Sequence, residues 1–79
     1  MTPMRNLGPV SQRRLASIGV TDLAEIRRRG AVPIYLELLA SGQAVSRNLL
    51  WALQGAILDC DWRDLSPAQR QQLINQLPD

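Results

Sequence analysis

Apolar residues recur along the chain at spacings of three and four positions, which are typical of helices that bury one side. Leu23 and Ile26 lie three residues apart, and Ile34 and Leu38 lie four residues apart. An α-helix has about 3.6 residues per turn, so each pair lies on one face of a helix. No run alternates apolar and polar residues for long enough to predict a β-strand. The pattern therefore predicts an all-α fold, a compact bundle of about five short helices.

The first predicted helix begins at Gly8-Pro9. Proline has the backbone angle of the first helical position and needs no amide there. Gly19 is the predicted left-handed stop after this helix. The predicted inner side of the helix consists of Val10, Leu15 and Ile18.

The second predicted helix is short and ends in positive charge. Thr21 is its predicted N-cap, with Asp22 and Glu25 near the positive end of the helix dipole. Residues 27–29 are all arginines and fall in its last turn. They form either a basic patch for a partner or surface charge that stabilises the helix end. The third helix is predicted over residues 33–40.

The fourth helix is predicted to be the most buried, because only Gln54 and Gly55 interrupt an apolar run over residues 49–58. Ser46 is its predicted N-cap. A glycine inside a helix costs about 1 kcal/mol relative to alanine. We therefore expect another helix to approach the backbone closely at Gly55.

The fifth helix has the clearest start. Ser66, Pro67 and Gln69 combine a serine cap, a proline at the first helical position and a glutamine three residues after the cap. This combination predicts a capping box. The predicted inner stripe of this helix consists of Leu73, Ile74 and Leu77.

Length and composition favour a small globular protein. The 79 residues fit a single domain, 1–79, and 46% of them are hydrophobic, with no Phe. Cys60 is the only cysteine, which excludes an internal disulfide. No apolar run is long enough to span a bilayer, and residues 1–8 lack the apolar core of a secretory signal. We therefore expect a cytoplasmic protein with no membrane partner.

The residues that most often carry catalysis are scarce. The chain contains no His and no Lys, which removes the commonest general base and the lysine of a P-loop. Asp59, Asp61 and Asp64 lack the glycine and final glutamate of an EF-hand, so we interpret them as a solvated loop. Cys60 and Trp62 are interpreted as fillers that fold against the core. We expect no catalytic residue, no metal site, no cofactor and no small-molecule substrate.

A candidate contact for DNA lies at the start of the first helix. Gly8 opens the helix, whose first amides point outward and whose dipole favours an anion. Ser11 adds a hydroxyl donor, and Arg13 and Arg14 lie close enough to reach neighbouring phosphates. The alternative is an ordinary Gly-Pro helix start with solvated arginines. The net charge of +2 does not decide between them.

This layout resembles half of a helix-hairpin-helix, a module that grips the DNA backbone without reading bases. Two features differ from the usual motif. The usual hairpin carries two glycines as G-x-G, whereas Gly8 stands alone here, and Pro9 removes one amide donor. The resemblance implies a helix-hairpin-helix-like N-terminal part of the bundle.

Four short motifs extend over nearly the full length of the chain. They are RNLGPxS at 5–11, IGV at 18–20, NLLWALxGA at 48–56 and WRDL at 62–65. In this order the chain resembles the C-terminal domain of the TfoX/Sxy family of bacterial competence regulators. The resemblance implies a compact helical domain linked to DNA-uptake competence, in a family that promotes transcription from CRP-dependent promoters. Such regulators usually carry an additional N-terminal domain, so we expect either an excised domain or a stand-alone version.

Together these observations predict a non-enzymatic accessory domain that contacts the DNA backbone or a transcription protein. The predicted DNA-binding residues are Arg5, Gly8, Ser11, Arg13 and Arg14. The alternative is a protein–protein interaction or dimerisation module without nucleic-acid contact, such as a homodimer. The high leucine content of so small a body favours this alternative, because apolar surface is left uncovered.

Overall fold

Glycine, proline and capping residues divide the chain into short helical segments. In this computed structural model, which describes residues 6–78, the α-helices are α1 (Pro9–Ala16), α2 (Leu23–Arg29), α3 (Ala31–Ala40), α4 (Arg47–Leu58) and α5 (Pro67–Asn75). A 3₁₀ helix, Trp62–Asp64, lies between α4 and α5. Residues 6–78 contain no strand, and the predicted all-α bundle of five short helices is confirmed. None of these helices combines the length and the apolar character needed to cross a membrane.

The turn between α1 and α2 contains one predicted feature and one correction. Gly19 has the expected left-handed conformation, with φ of 83°. The N-cap of α2 is Asp22 rather than Thr21, because the Asp22 carboxylate accepts a hydrogen bond from the amide of Glu25 over 2.8 Å. Threonine and aspartate both cap helices well, and the backbone geometry selected the second of the two.

The junction between α2 and α3 consists of Gly30 alone, with φ of 88°. The predicted start of α3 at Pro33 was therefore wrong, since the helix already begins at Ala31. Pro33 is tolerated inside the first turn because the amides there have no intrahelical partner to lose.

The central element of the core is α4, as its apolar sequence predicts. Seven of its twelve residues are buried, and Leu50 and Leu53 are fully enclosed. This helix packs against α2, α3 and the 3₁₀ helix. The other large side chains that are fully buried in the described part of the chain are Leu15, Val20, Ile26, Ile34 and Leu38.

The inner side of α1 is shorter than predicted. Leu15 is fully buried, and Ile18 packs against the core from a partly buried position. Val10, in contrast, is 59% exposed, so its assignment to the inner side was wrong. Leu7, which precedes the helix, is buried in the core.

Gly55 permits a close approach, although the approaching group is not another α-helix. A Cβ atom there would lie 2.6 Å from Nδ2 of Asn6, 2.9 Å from the carbonyl oxygen of Cys60 and 3.2 Å from Cα of Trp62. The Asn6 Nδ2 donates to the Cys60 carbonyl over 2.9 Å, and the Asn6 Oδ1 accepts from the Trp62 amide over 3.3 Å. These bonds hold the segment leading into α1 against the loop that follows α4.

The predicted capping box at the start of α5 is confirmed. The amide of Gln69 donates to Oγ of Ser66 over 3.1 Å, and the amide of Ser66 donates to Oε1 of Gln69 over 2.8 Å. The Arg70 guanidinium anchors α5, because its carbon lies 5.6 Å from the ring centroid of Trp51 and 5.8 Å from that of Trp62. Trp62 is half-buried and packs against the core, as predicted.

Candidate nucleic-acid interface

The start of α1 is open to solvent. Gly8 is the N-cap in an extended conformation, with φ of −80° and ψ of 178°, and no described side chain caps the helix. A Cβ atom on Gly8 would meet nothing within 4 Å, and Pro9 and Val10 beside it are exposed. The Gly8 carbonyl accepts from the amide of Gln12 over 2.9 Å, which begins the helical ladder. An approaching group therefore has free access to the first turn.

The donors of this first turn are fewer than in an ordinary helix, because Pro9 has no amide. The amides of Val10 and Ser11 remain, and neither bonds to another group within residues 6–78. The hydroxyl of half-buried Ser11 adds a third donor. These groups, together with the positive end of the helix dipole, suit the oxygens of a phosphate.

Two arginines of α1 carry charge that the described protein does not neutralise. Arg13 is exposed, Arg14 is half-buried, and both lie in the last turn of the helix. Neither forms an ion pair with any carboxylate that the structure describes. Both guanidinium groups are therefore available to an external anion. Arg5, which was also predicted to bind DNA, lies outside the described residues.

Two of the three arginines of α2 are engaged within the protein, whereas the exposed side chain of Arg27 has no ion pair or hydrogen bond within residues 6–78. Arg28 and Arg29 pair with Glu25 at 2.6 and 2.8 Å, and Arg29 also reaches Glu37 at 3.3 Å. Hydrogen bonds from Arg28 and then Arg29 lower the pKa of Glu25 to about 2. Arg29 in addition donates to the carbonyl of Ile18 over 3.0 Å. These contacts favour the interpretation of Arg28 and Arg29 as stabilising surface charge rather than as part of a basic patch.

A groove of about 240 Å³ lies between the start of α1 and the start of α4. The polar residues that line it are Asn6, Ser11, Arg14, Ser46 and Asn48. The apolar and aromatic residues that line it are Leu49, Ala52 and Trp62. Ser46 is the N-cap of α4, as predicted, but its side chain forms no capping hydrogen bond. The groove therefore unites two predicted site residues, Ser11 and Arg14, with the beginning of a second helix.

Sequence reasoning missed the contribution of α4 to this groove. It identified Ser46 as a helix cap and gave Asn48 no role. Ser46 and Asn48 are distant from Ser11 in the sequence, so no local spacing indicates that they share a surface. The Ser46 side chain forms no capping hydrogen bond. This depends on the folded backbone and cannot be predicted from the sequence.

The acidic loop after α4 is organised by its own contacts. Asp59 is the left-handed C-cap of α4, and Asp61 accepts hydrogen bonds from the backbone and the guanidinium of Arg63. Cys60 is half-buried and packs against the core. In the part of the chain that the structure describes, His, Cys, Asp and Glu residues form no group of three suited to a metal ion.

The fold and the α1 surface together define a small all-helical domain with an uncapped, electropositive helix start. The sequence model of the family described as the TfoX C-terminal domain matches residues 1–77. The chain belongs to this family, in agreement with the motifs that its sequence contains.

A curated relative is the DNA transformation protein TfoX of Haemophilus influenzae. It is 31% identical to this chain over 72 residues, which cover 91% of the chain and 33% of the relative. The chain thus spans about a third of the length of that protein. These two matches place the chain in a competence-related family. No solved structure matches it.

Proposed function

We propose that this domain is a non-enzymatic accessory of DNA-uptake competence that contacts the DNA backbone through the start of α1. The amides of the first turn and the hydroxyl of Ser11 bind one phosphate, which approaches over Gly8. Arg14 pairs with this phosphate, and Arg13 pairs with a neighbouring one. Binding of this kind is independent of base sequence, because phosphates are the same at every base pair.

The proposal is supported most by two features that occur together on α1. The start of this helix has no side-chain cap, and its two arginines, Arg13 and Arg14, have no carboxylate partner within residues 6–78. Among the other described arginines, Arg28, Arg29 and Arg63 have such partners, whereas Arg27, Arg47 and Arg70 form no ion pair within residues 6–78 and lie on other helices. Positive charge without an internal partner gains most from a polyanion, since the contact releases counterions from the DNA.

The name of the Haemophilus relative refers to DNA transformation, which supports a DNA-related role for the domain. Because the chain covers 33% of that relative, a role in regulating competence and transcription is part of the proposal. On this view the partner is the DNA backbone or a transcription protein, and the domain acts in the cytoplasm. Neither a cofactor nor a catalytic group takes part.

The proposal is tested by fluorescence anisotropy with a labelled duplex at two salt concentrations. We expect binding at low salt, with log affinity falling by about 0.9 per phosphate contact for each log unit of salt. Gly8→Val is expected to weaken binding about tenfold, because the valine side chain fills the open approach to the amides. The extended backbone of Gly8 accepts valine, so the fold is retained.

The matched control is Ala68→Val, which introduces the same residue in the exposed first turn of α5. This variant is expected to bind the duplex as the wild type does. Failure of the wild type to bind at low salt, or equal binding by Gly8→Val and wild type, would remove DNA contact from the proposal.

The alternative function is a protein-interaction or dimerisation module. It is favoured by three large apolar side chains that are exposed, Val10, Leu39 and Leu58. Such side chains gain free energy when a partner covers them. Sedimentation equilibrium over a range of concentrations distinguishes the two functions. If the protein self-associates and Leu39→Ser or Leu58→Ser abolishes this association, the dimerisation module is supported. If the protein is monomeric at every concentration, the homodimer is excluded.

A further inference from the structure

The groove between α1 and α4 has the chemistry of a site for a phosphate group. Arg14 supplies positive charge, and none of the groove residues is acidic. Ser11, Ser46 and Asn48 supply hydroxyl and amide donors that have no hydrogen-bond partner within residues 6–78. Four side chains, two from α1 and two from the start of α4, therefore line one space with their capacity for an anion unused.

Asn6, the remaining polar residue that lines the groove, is held in place by its own hydrogen bonds. The Asn6 amide is occupied on both atoms, donating to the Cys60 carbonyl and accepting from the Trp62 amide. Since Asn6 is held by the loop after α4, the entrance to α1 cannot move freely away from the groove. The spacing of the donors is thus set before a ligand arrives, which lowers the entropic cost of binding.

The size of the groove restricts its ligand. Its volume of about 240 Å³ is below the range of about 300–1,000 Å³ that is typical of sites for whole small molecules. A phosphate group within a longer chain suits such a groove, because the rest of the chain stays outside.

The apolar part of the groove lining strengthens the interaction with an anion. Leu49 and Ala52 are buried residues of α4, and Trp62 is a half-buried residue of the 3₁₀ helix. Apolar side chains lower the local dielectric, so the attraction between Arg14 and an anion is stronger there than in open solvent.

We propose that this groove holds one phosphate group between the two helices. Arg14 and Ser11 of α1 form one side of the site, and Ser46 and Asn48 at the start of α4 form the other. The inference rests on the proposed DNA contact of α1 and adds α4 to it. The DNA backbone is then bound between α1 and the start of α4, rather than by α1 alone.

Two ligands and one pair of variants test the site. Inorganic phosphate is titrated into ¹⁵N-labelled protein, and the duplex is titrated by anisotropy. Asn48→Asp places a carboxylate in the groove wall. Asn48 lies in the first turn of α4, where the helix dipole favours an acidic residue, so the thermal midpoint should be unchanged or raised. The matched control is Asn75→Asp, which makes the same charge change at an exposed position of α5 outside the groove.

We expect phosphate to shift the amide resonances of Ser11 and Asn48 in the wild type and in Asn75→Asp, but not in Asn48→Asp. Duplex affinity should fall about tenfold in Asn48→Asp relative to Asn75→Asp. A phosphate response without duplex binding would overturn the DNA contact while supporting a site for free phosphate. Another outcome is that Gly8→Val weakens duplex binding while Asn48→Asp and Asn75→Asp bind the duplex with equal affinity. This outcome would overturn the proposed phosphate site in the groove and support the DNA contact of α1 alone.

Discussion

At Gly55 three neighbouring atoms leave no room for a side chain. The three groups nearest to a Cβ atom at this position are a side-chain nitrogen of Asn6, a carbonyl oxygen of Cys60 and the Cα atom of Trp62. The two backbone atoms belong to the segment that turns from α4 into the 3₁₀ helix. This segment cannot withdraw without also breaking the hydrogen bonds that it makes to Asn6.

Gly55→Ala is therefore expected to lower the free energy of unfolding by about 1–3 kcal/mol, the range for overpacking in a core. This sign is opposite to that of helix propensity, which favours alanine by about 1 kcal/mol. Urea unfolding followed by circular dichroism measures the difference. The control Gln54→Ala, one residue earlier in α4, should remain within about 0.5 kcal/mol of the wild type. A Gly55→Ala protein as stable as the wild type would contradict the close contact.

For single residues, the sequence predicts the position of a close contact but not the group that makes it. A glycine inside an apolar helix indicates a close approach, and the structure confirms one at Gly55. The approaching group could not be predicted, because Asn6 is separated from Gly55 by most of the chain. Val10 shows the opposite case, since its side chain suits the core but its place in the first turn of α1 leaves it exposed.

Among the secondary structure elements, α2 depends most on its charges. Its seven residues are too few for a stable isolated helix. Asp22 caps its start, and Glu25 pairs with both Arg28 and Arg29. Arg29 extends this cluster to the carbonyl of Ile18 and to Glu37 of α3. The cluster thus joins α2 to the turn that follows α1 and to α3.

The stability that Glu25 contributes should depend on pH in a defined window. Its pKa is lowered by Arg28 and Arg29 from an ordinary value of 4.5 to about 2. A group whose pKa is lower in the folded state stabilises the protein fully above the unfolded value. The excess stability of the wild type over Glu25→Gln should therefore be constant above pH 4.5 and vanish as the pH falls through about 2.

Carboxyl-carbon NMR measures this pKa directly, and denaturant unfolding at several pH values measures the stability difference. Arg28→Gln removes the first of the causes and should move the pKa of Glu25 upward toward its ordinary value. An ordinary pKa in the wild type, or a stability difference that grows as the pH falls from 4.5 to 2, would show that the pairs do not form in solution.

The elements themselves were largely predictable, because glycines, prolines and caps mark their ends. The capping box of α5 and the Gly-Pro start of α1 are contained within a few adjacent residues. The starts of α2 and α3 were misplaced where two neighbouring positions satisfy the same rule. Thr21 and Asp22 both cap well, and a proline fits any position of a first turn whose amides lack partners.

In the part of the chain that the structure describes, the arginines differ in whether a carboxylate neutralises them. Arg28, Arg29 and Arg63 have carboxylate partners, whereas five others have none within residues 6–78. Of these five, Arg13 and Arg14 are neighbours on α1, and the others lie on other helices: Arg27, Arg47 and Arg70. The α1 half of the candidate site was predictable, because its residues are contiguous in the sequence. The α4 half was not, because Ser46 and Asn48 reach the groove only through the packing of the whole chain.

This division of charge predicts that the location of the arginines, and not their number, governs the salt dependence of DNA binding. Arg13→Gln/Arg14→Gln and Arg28→Gln/Arg63→Gln each remove two positive charges, and either change reduces the formal net charge of +2 to zero. The first pair should reduce the slope of log affinity against log salt by about 1.8, because two phosphate contacts are lost. The second pair should leave the slope almost unchanged, since those arginines already pair with Glu25 and Asp61.

Anisotropy titrations of one duplex over a series of salt concentrations give both slopes. Equal slopes for the two double variants would mean that overall charge attracts the DNA and that α1 is not the contact surface.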